Sequence, residues 1–131
     1  MSDNQCGAAL FEPTTFEEVL RKMNEQGNFK AAILASGDGL PIATAPSTYD
    51  TDTTAAMVAL LQSVSKEARE QLEMADVDEV TIFDRDRIRL VCRYLVLEGE
   101  ELILAVMVPP NRHYRRLTNQ AIKEIRAVWK G

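Results

Sequence analysis

The residues whose types could do chemistry are few in this chain, and their spacing does not favour it. His113 is the single histidine, and no cysteine or carboxylate constellation stands around it at metal-ligand spacing. It fits a solvated position at a helix start, inside a short basic cluster formed with Arg112, Arg115 and Arg116. Cys6 and Cys92 make neither a C-x-x-C motif nor a disulfide framework; Cys6 lies in a polar N-terminal stretch, and Cys92 in a strand-like run where a buried thiol packs as a small hydrophobe. Gly37-Asp38-Gly39-Leu40-Pro41 has glycines but no helix start behind it to hold a phosphate. The acids Asp76, Asp78, Glu79, Asp84 and Asp86 bracket a strand and its turn, which predicts a charged rim and not an acid–base pair. No catalytic, cofactor-binding or metal-binding residue is therefore expected.

The elements around these residues are readable from period and turn chemistry. Residues 1–13 predict a loose tail ending at Pro13, with residues 14–131 forming one domain, a size that suits a single core. Thr14 and Glu17 predict a capping box, and Phe16, Val19, Leu20 and Met23 share one face of a helix over 14–26 that Gly27 should stop. Strands follow over 30–36 and 40–45, joined through Gly37-Asp38-Gly39. Pro41 has no ladder donor, so the second strand belongs at a sheet edge.

Asp50 or Asp52 offers an N-cap for a long helix over 52–74. Met57, Leu60, Leu61, Val64, Ala68 and Leu72 share a face that is expected to cover the sheet. Toward the other side Ala55, Ala59 and Ser63 form a ridge of small side chains beside Gln62 and Lys66. Alanine is the best helix former, which explains such a ridge; so does the close approach of another backbone. Spacing alone does not choose between them.

Three strands are then expected over 80–83, 88–97 and 102–108, the last apolar on both faces and so central, before a final helix over 112–129. Along 88–97 one face carries Ile88, Leu90, Cys92, Tyr94 and Val96; the other carries Arg89, Val91, Arg93, Leu95 and Leu97. The order α-β-β-α-β-β-β-α predicts an α/β fold, a five-stranded antiparallel sheet with helices on both faces.

Net charge and hydropathy narrow the function classes. A formal charge of -5 gives no reason to expect nucleic acid or an anionic membrane as partner. No apolar run approaches the roughly 20 residues that cross a bilayer, and the N-terminus lacks a signal-peptide pattern, so a cytoplasmic location is expected.

The run Ala32-Ile33-Leu34-Ala35-Ser36-Gly37-Asp38-Gly39-Leu40-Pro41-Ile42-Ala43 resembles the signature of the Roadblock (dynein light-chain) family. Ala55-Ala56-Met57-Val58-Ala59-Leu60-Leu61 is similar to the start of that family's long helix, and Leu102-Ile103-Leu104-Ala105-Val106 to its last strand. The resemblance implies a profilin-like α/β/α sandwich, a homodimer joined by the long helices and by the third strands, and a role as a platform for a small Ras-like GTPase. Bacterial members include activators of a polarity GTPase that reorganise the GTPase's own residues, so Arg69 or Arg85 is no sign of an inserted arginine. The end at Gly131 predicts no long C-terminal extension.

On this basis Val80, Thr81, Ile82 and Phe83 are the expected dimer interface, since an open proline-free edge strand invites pairing with its own copy. Ala55, Ala59, Gln62, Ser63 and Lys66 are the expected partner surface. Two other functions remain open from sequence: a dimer that binds a peptide or kinase, and a small-molecule sensor, which would need a cavity with convergent polar groups.

Overall fold

The first helix shows how local hydrogen bonding sets the frame. In the computed structural model, which describes residues 12–46 and 50–130, α1 spans Phe16–Gly27. Its N-cap is Thr15, not Thr14, and the boxed acid is Glu18, not Glu17. Glu18 accepts from Thr14 N, Thr14 Oγ1 and Thr15 N at 2.8, 2.9 and 3.1 Å, while its own N–H donates to Thr15 Oγ1. These bonds, the Thr14 N–H first, hold its carboxyl below the usual range. The stop also differs from expectation: Gly27 is still helical, and Asn28 takes the left-handed turn at φ 55. Gly27 is required for another reason, because the Phe29 ring occupies the space a Cβ would fill.

Strands β1 (Ala31–Ser36), β2 (Pro41–Ala45), β3 (Glu79–Phe83), β4 (Arg89–Leu97) and β5 (Glu100–Val108) form one antiparallel sheet in the order β2-β1-β5-β4-β3. The apolar β5 is central, and Pro41 lies on an edge strand, as their chemistry predicts. Glu98 and Gly99, at φ 50 and 83, make the two-residue turn that joins β4 to β5. The N-terminal stretch 1–11 with Cys6, and Gly131, lie outside the described residues.

Helix α1 and the last helix, α3 (Arg115–Lys130), cover one side of the sheet. Val19, Leu20, Met23, Ala121 and Ile125 pack there on Leu34, Val91, Leu95, Leu104 and Val106. Lys22 Nζ, 2.6 Å from Glu124 Oε2, ties the two helices together. The other side belongs to α2 (Thr51–Leu72), capped by Asp50, over a smaller core of Ile33, Ala35, Val58, Cys92, Ile103 and Ala105. The alternation of β4 holds: Cys92 faces α2, while Val91, Leu95 and Leu97 face α1 and α3.

The face of α2 is a correction. Ala55, Val58 and Ser65 are buried, whereas Met57, Leu60, Val64 and Leu72 are 45%, 62%, 56% and 70% exposed. The helix is turned about a third of a turn from the apolar-in orientation that its sequence suggests. Small residues are the cause: Ala55 lies against a sheet surface built from Ala35 and Ala105, and Ala59 against the β1–β2 turn. The backbone thus comes close on its alanine side, and the larger apolar side chains are left pointing away.

Candidate interaction surface

Of the acids singled out in the sequence, Asp76, Asp78 and Glu79 are held by charge pairing. Arg115 donates to Glu79 Oε1 at 2.7 Å and to Asp78 Oδ2 at 2.6 Å. Tyr114 Oη and Thr81 Oγ1 both donate to Glu79 Oε2 at 2.5 Å. Below them Arg93, only 4% exposed, donates to Thr118 Oγ1 at 2.6 Å and Asn119 Oδ1 at 2.9 Å, and lies 3.7 Å from Asp78 and 4.0 Å from Glu79. The cluster clamps the start of β3 to α3. The Arg115 hydrogen bond, then the charge of Arg93, holds the Asp78 carboxyl below its usual range. Burial pushes Glu79 upward, but the Thr81 and Tyr114 hydrogen bonds and the two guanidiniums outweigh it, and its pKa is lowered too.

Asp78 and Glu79 are bonded to cations and hydroxyls, an arrangement that holds elements together. Asp84 accepts from Ile88 N and closes the β3–β4 turn, while Asp76 pairs with Arg69 at 3.2 Å. Burial, then the charge of Glu79, pushes the Cys92 thiol up to about 12, so it is no thiolate nucleophile. Among the described residues no group of histidines, cysteines and acids could hold a metal ion.

The residues expected to seat a partner separate in the structure. Ala55 is buried at 1% exposure, which corrects its place on an exposed ridge. Ala59 meets Gly39, and Gln62 Nε2 donates to Glu101 Oε1 at 2.8 Å. Ser63 and Lys66 stand in solvent. What sequence reasoning missed is the flank of Met57, Leu60 and Val64, which it had turned inward. The signal was available in part, since alanines at 55 and 59 permit the rotation.

The strand expected to pair with a second copy is indeed at the sheet edge. Val80 and Thr81 are half-buried, and Ile82 and Phe83 are 42% and 51% exposed. Val80 and Ile82 pair with Cys92 and Leu90, so their side chains lie on the α2 side. Leu61 of α2 and Leu90 of β4 pack against the same small core, on the side of the sheet that also carries Val80 and Ile82. The direction of the backbone groups follows from one bond: Tyr94 N donates to Asp78 O at 3.1 Å. Alternation then turns the N–H groups of Val80 and Ile82 into β4 and leaves those of Glu79, Thr81 and Phe83 facing outward.

The structure thus presents an open strand edge at β3 and, on α2, an exposed apolar flank. A family model for the Roadblock/LC7 domain matches residues 15–107. The chain belongs to the Roadblock/LC7 family. Solved structures share the fold of this Roadblock/LC7 chain. Myxococcus xanthus MglB is 15% identical with a TM-score of 0.76, covering 92% of this chain and 98% of its own. A Roadblock/LC7 domain from Streptomyces avermitilis is 20% identical with a TM-score of 0.73, at 87% and 94% coverage. The gliding protein MglB from Thermus thermophilus is 17% identical with a TM-score of 0.65, at 86% and 87%. Among curated proteins, no sequence matches.

Proposed function

We propose that this chain is a non-enzymatic, cytoplasmic homodimer that binds a small Ras-like GTPase and regulates it. The observation that carries the reading is the exposed flank of Met57, Leu60 and Val64 together with the outward-facing N–H groups of β3. A second copy related by a two-fold axis would pair β3 with β3 and pack α2 along α2, satisfying both at once. The outer faces of the two helices, with Ser63 and Lys66, would then form one continuous seat for the GTPase. The Roadblock/LC7 family and the MglB folds support this kind of function. Stimulation of GTP hydrolysis would act by arranging the GTPase's own groups, without an inserted arginine.

The test is a pull-down from the native cell in GDP and in a GTP analogue, followed by turnover measurements with the GTPase recovered. Nucleotide-dependent retention of a Ras-like GTPase is the expected result; retention of only a kinase or peptide partner would replace it with the scaffold reading. Purified alone, the chain should release no phosphate from GTP and magnesium. Release that tracks the protein peak through repeated purification would overturn the non-enzymatic part.

A further inference from the structure

Two loops far apart in sequence meet at one end of the sheet. The β3–β4 turn carries Arg85 and Arg87, and the β5–α3 loop carries Arg112 and His113 before Arg115 and Arg116. Arg89 joins them, its Nη2 donating to Pro109 O at 2.9 Å and Arg112 O at 2.7 Å. Arg115 is held by Asp78 and Glu79, but among the described residues Arg85, Arg87, Arg112 and Arg116 pair with no carboxylate. The acids of these two loops are Asp84 and Asp86, and Asp84 is spent on the Ile88 N–H. A basic pole therefore stands on a chain whose net charge is -5.

The placement is poor for stability. The first turn of α3 holds no acid, and its arginines sit where the helix dipole is already positive. Phe83 lies half-exposed in the same pole with the Arg87 guanidinium 4.4 Å from its ring centroid; Arg87 reaches it from a left-handed backbone at φ 68.

We propose that this pole docks an acidic segment of a partner protein, with carboxylates on Arg85, Arg87, Arg112 and Arg116 and an apolar residue against Phe83. Charge complementarity selects the acids, and the exposed ring selects the apolar residue between them. A lipid sheet or a nucleic-acid backbone is the poorer match: each is uniformly anionic, and would meet Asp84 and Asp86 as well as the overall charge of -5. A peptide can leave gaps at the two aspartates. Phe83 and Arg89 pair with each other and lie on the α3 side of the sheet, where Arg89 stands 5.5 Å from the Tyr114 ring. The pole thus faces away from α2; Phe83 also ends the strand edge of the proposed dimer, with its ring on the α3 side of that seam, so the titration is read on the assembled wild-type protein.

The test is a titration of the isotope-labelled protein with a synthetic peptide of glutamates around one leucine, and with its glutamine counterpart. The glutamate peptide should shift backbone amides at 83–87 and 112–116, less so as salt is raised. The combined Arg87→Gln, Arg112→Gln and Arg116→Gln variant should bind it at least roughly tenfold more weakly, and Arg21→Gln should bind it unchanged. Should the triple variant fail to fold, the amide map of the wild-type chain decides. Equal shifts with the glutamine peptide, scattered shifts, or none would overturn the proposal. Sedimentation with phosphatidylserine vesicles in the absence of peptide binding would overturn it in favour of a lipid surface.

Discussion

Gly39 is seated on Ala59: a Cβ built on the glycine would stand 2.9 Å from the Ala59 Cβ and 3.1 Å from the Ala55 carbonyl oxygen. With φ at 89 the glycine is also in a conformation that other residues avoid. The small side chains of α2 thus have an intramolecular use, the approach of the β1–β2 turn. Ala59→Arg should therefore lose stability, by roughly 1 to 3 kcal/mol as an overpacked contact. Urea denaturation with an unchanged slope and a lower midpoint is the expected result. A midpoint equal to that of the wild type would mean that the turn swings aside and Ala59 is free for a partner.

The two faces of the β3 backbone give different outcomes for proline at adjacent positions. Thr81→Pro removes an outward donor and the hydroxyl that bonds Glu79 but spares the β3–β4 ladder, so the variant should stay folded, somewhat less stable, and scatter light as a monomer of about half the wild-type mass. Ile82→Pro removes a donor inside the ladder and should cost stability on top of assembly, roughly 1 to 3 kcal/mol for the carbonyl left without a partner. If Thr81→Pro keeps the wild-type mass and melting temperature, dimerisation does not use this edge.

Acid should loosen the start of β3. The folded pKa values of Asp78 and Glu79 lie below their ordinary values of 3.8 and 4.5. A depressed carboxylate stabilises the fold above its unfolded pKa, and that contribution fades as pH falls through the lower, folded value. Melting temperature should therefore drop on titration from about pH 5 downward. Glu79→Gln should cost roughly 1.5 to 3 kcal/mol at neutral pH, because charge-assisted bonds become neutral ones beside a buried guanidinium. It should also flatten the acid limb. An acid limb as steep as that of the wild type would place the responsible groups elsewhere.

Cys92 should be silent to thiol reagents until the chain unfolds. Its side chain is fully buried between Val80 and Ala105, and burial holds it protonated, with a pKa of about 12. In a Cys6→Ser background, labelling should track global unfolding in denaturant, and rapid native labelling would show that α2 lifts from the sheet. Cys92→Ser should cost about 1 to 3 kcal/mol, from a hydroxyl buried without an assured partner.

The strands were legible in the sequence because their signals are local. Alternation placed Cys92 and Val91 on opposite faces, and Pro41 and the Gly37-Asp38-Gly39 turn carry their reasons within a few residues. The cap of α1 missed by one residue, since Thr14 with Glu17 and Thr15 with Glu18 are the same pattern one step apart. The face of α2 was not legible for a physical reason. A hydrophobic wheel assumes that the larger apolar side chains go inward, whereas here a close backbone contact at Gly39 decides the rotation and leaves Met57, Leu60 and Val64 for another surface. Arg93 was hidden in the same way, because its partners Thr118 and Asn119 lie on an element distant in sequence. The basic pole needed the Arg89 bridge to be seen at all.

The Glu98-Gly99 turn also bears on the order in which the chain assembles. It joins two nine-residue strands that zip together from neighbouring positions, Leu97 with Glu100 and outward to Arg89 with Val108. Such a hairpin can form in roughly 1 to 10 μs, with almost no loop to close. The opposite flank of β5 must wait for β1, whose Ala31 pairs with Met107 across most of the chain. Long-range closures of this kind are slow. During synthesis β1, β2 and α2 leave the ribosome before the strand that unites them exists, so the sheet cannot close until β5 emerges. Until then the edge of β1 that β5 will occupy has no strand partner.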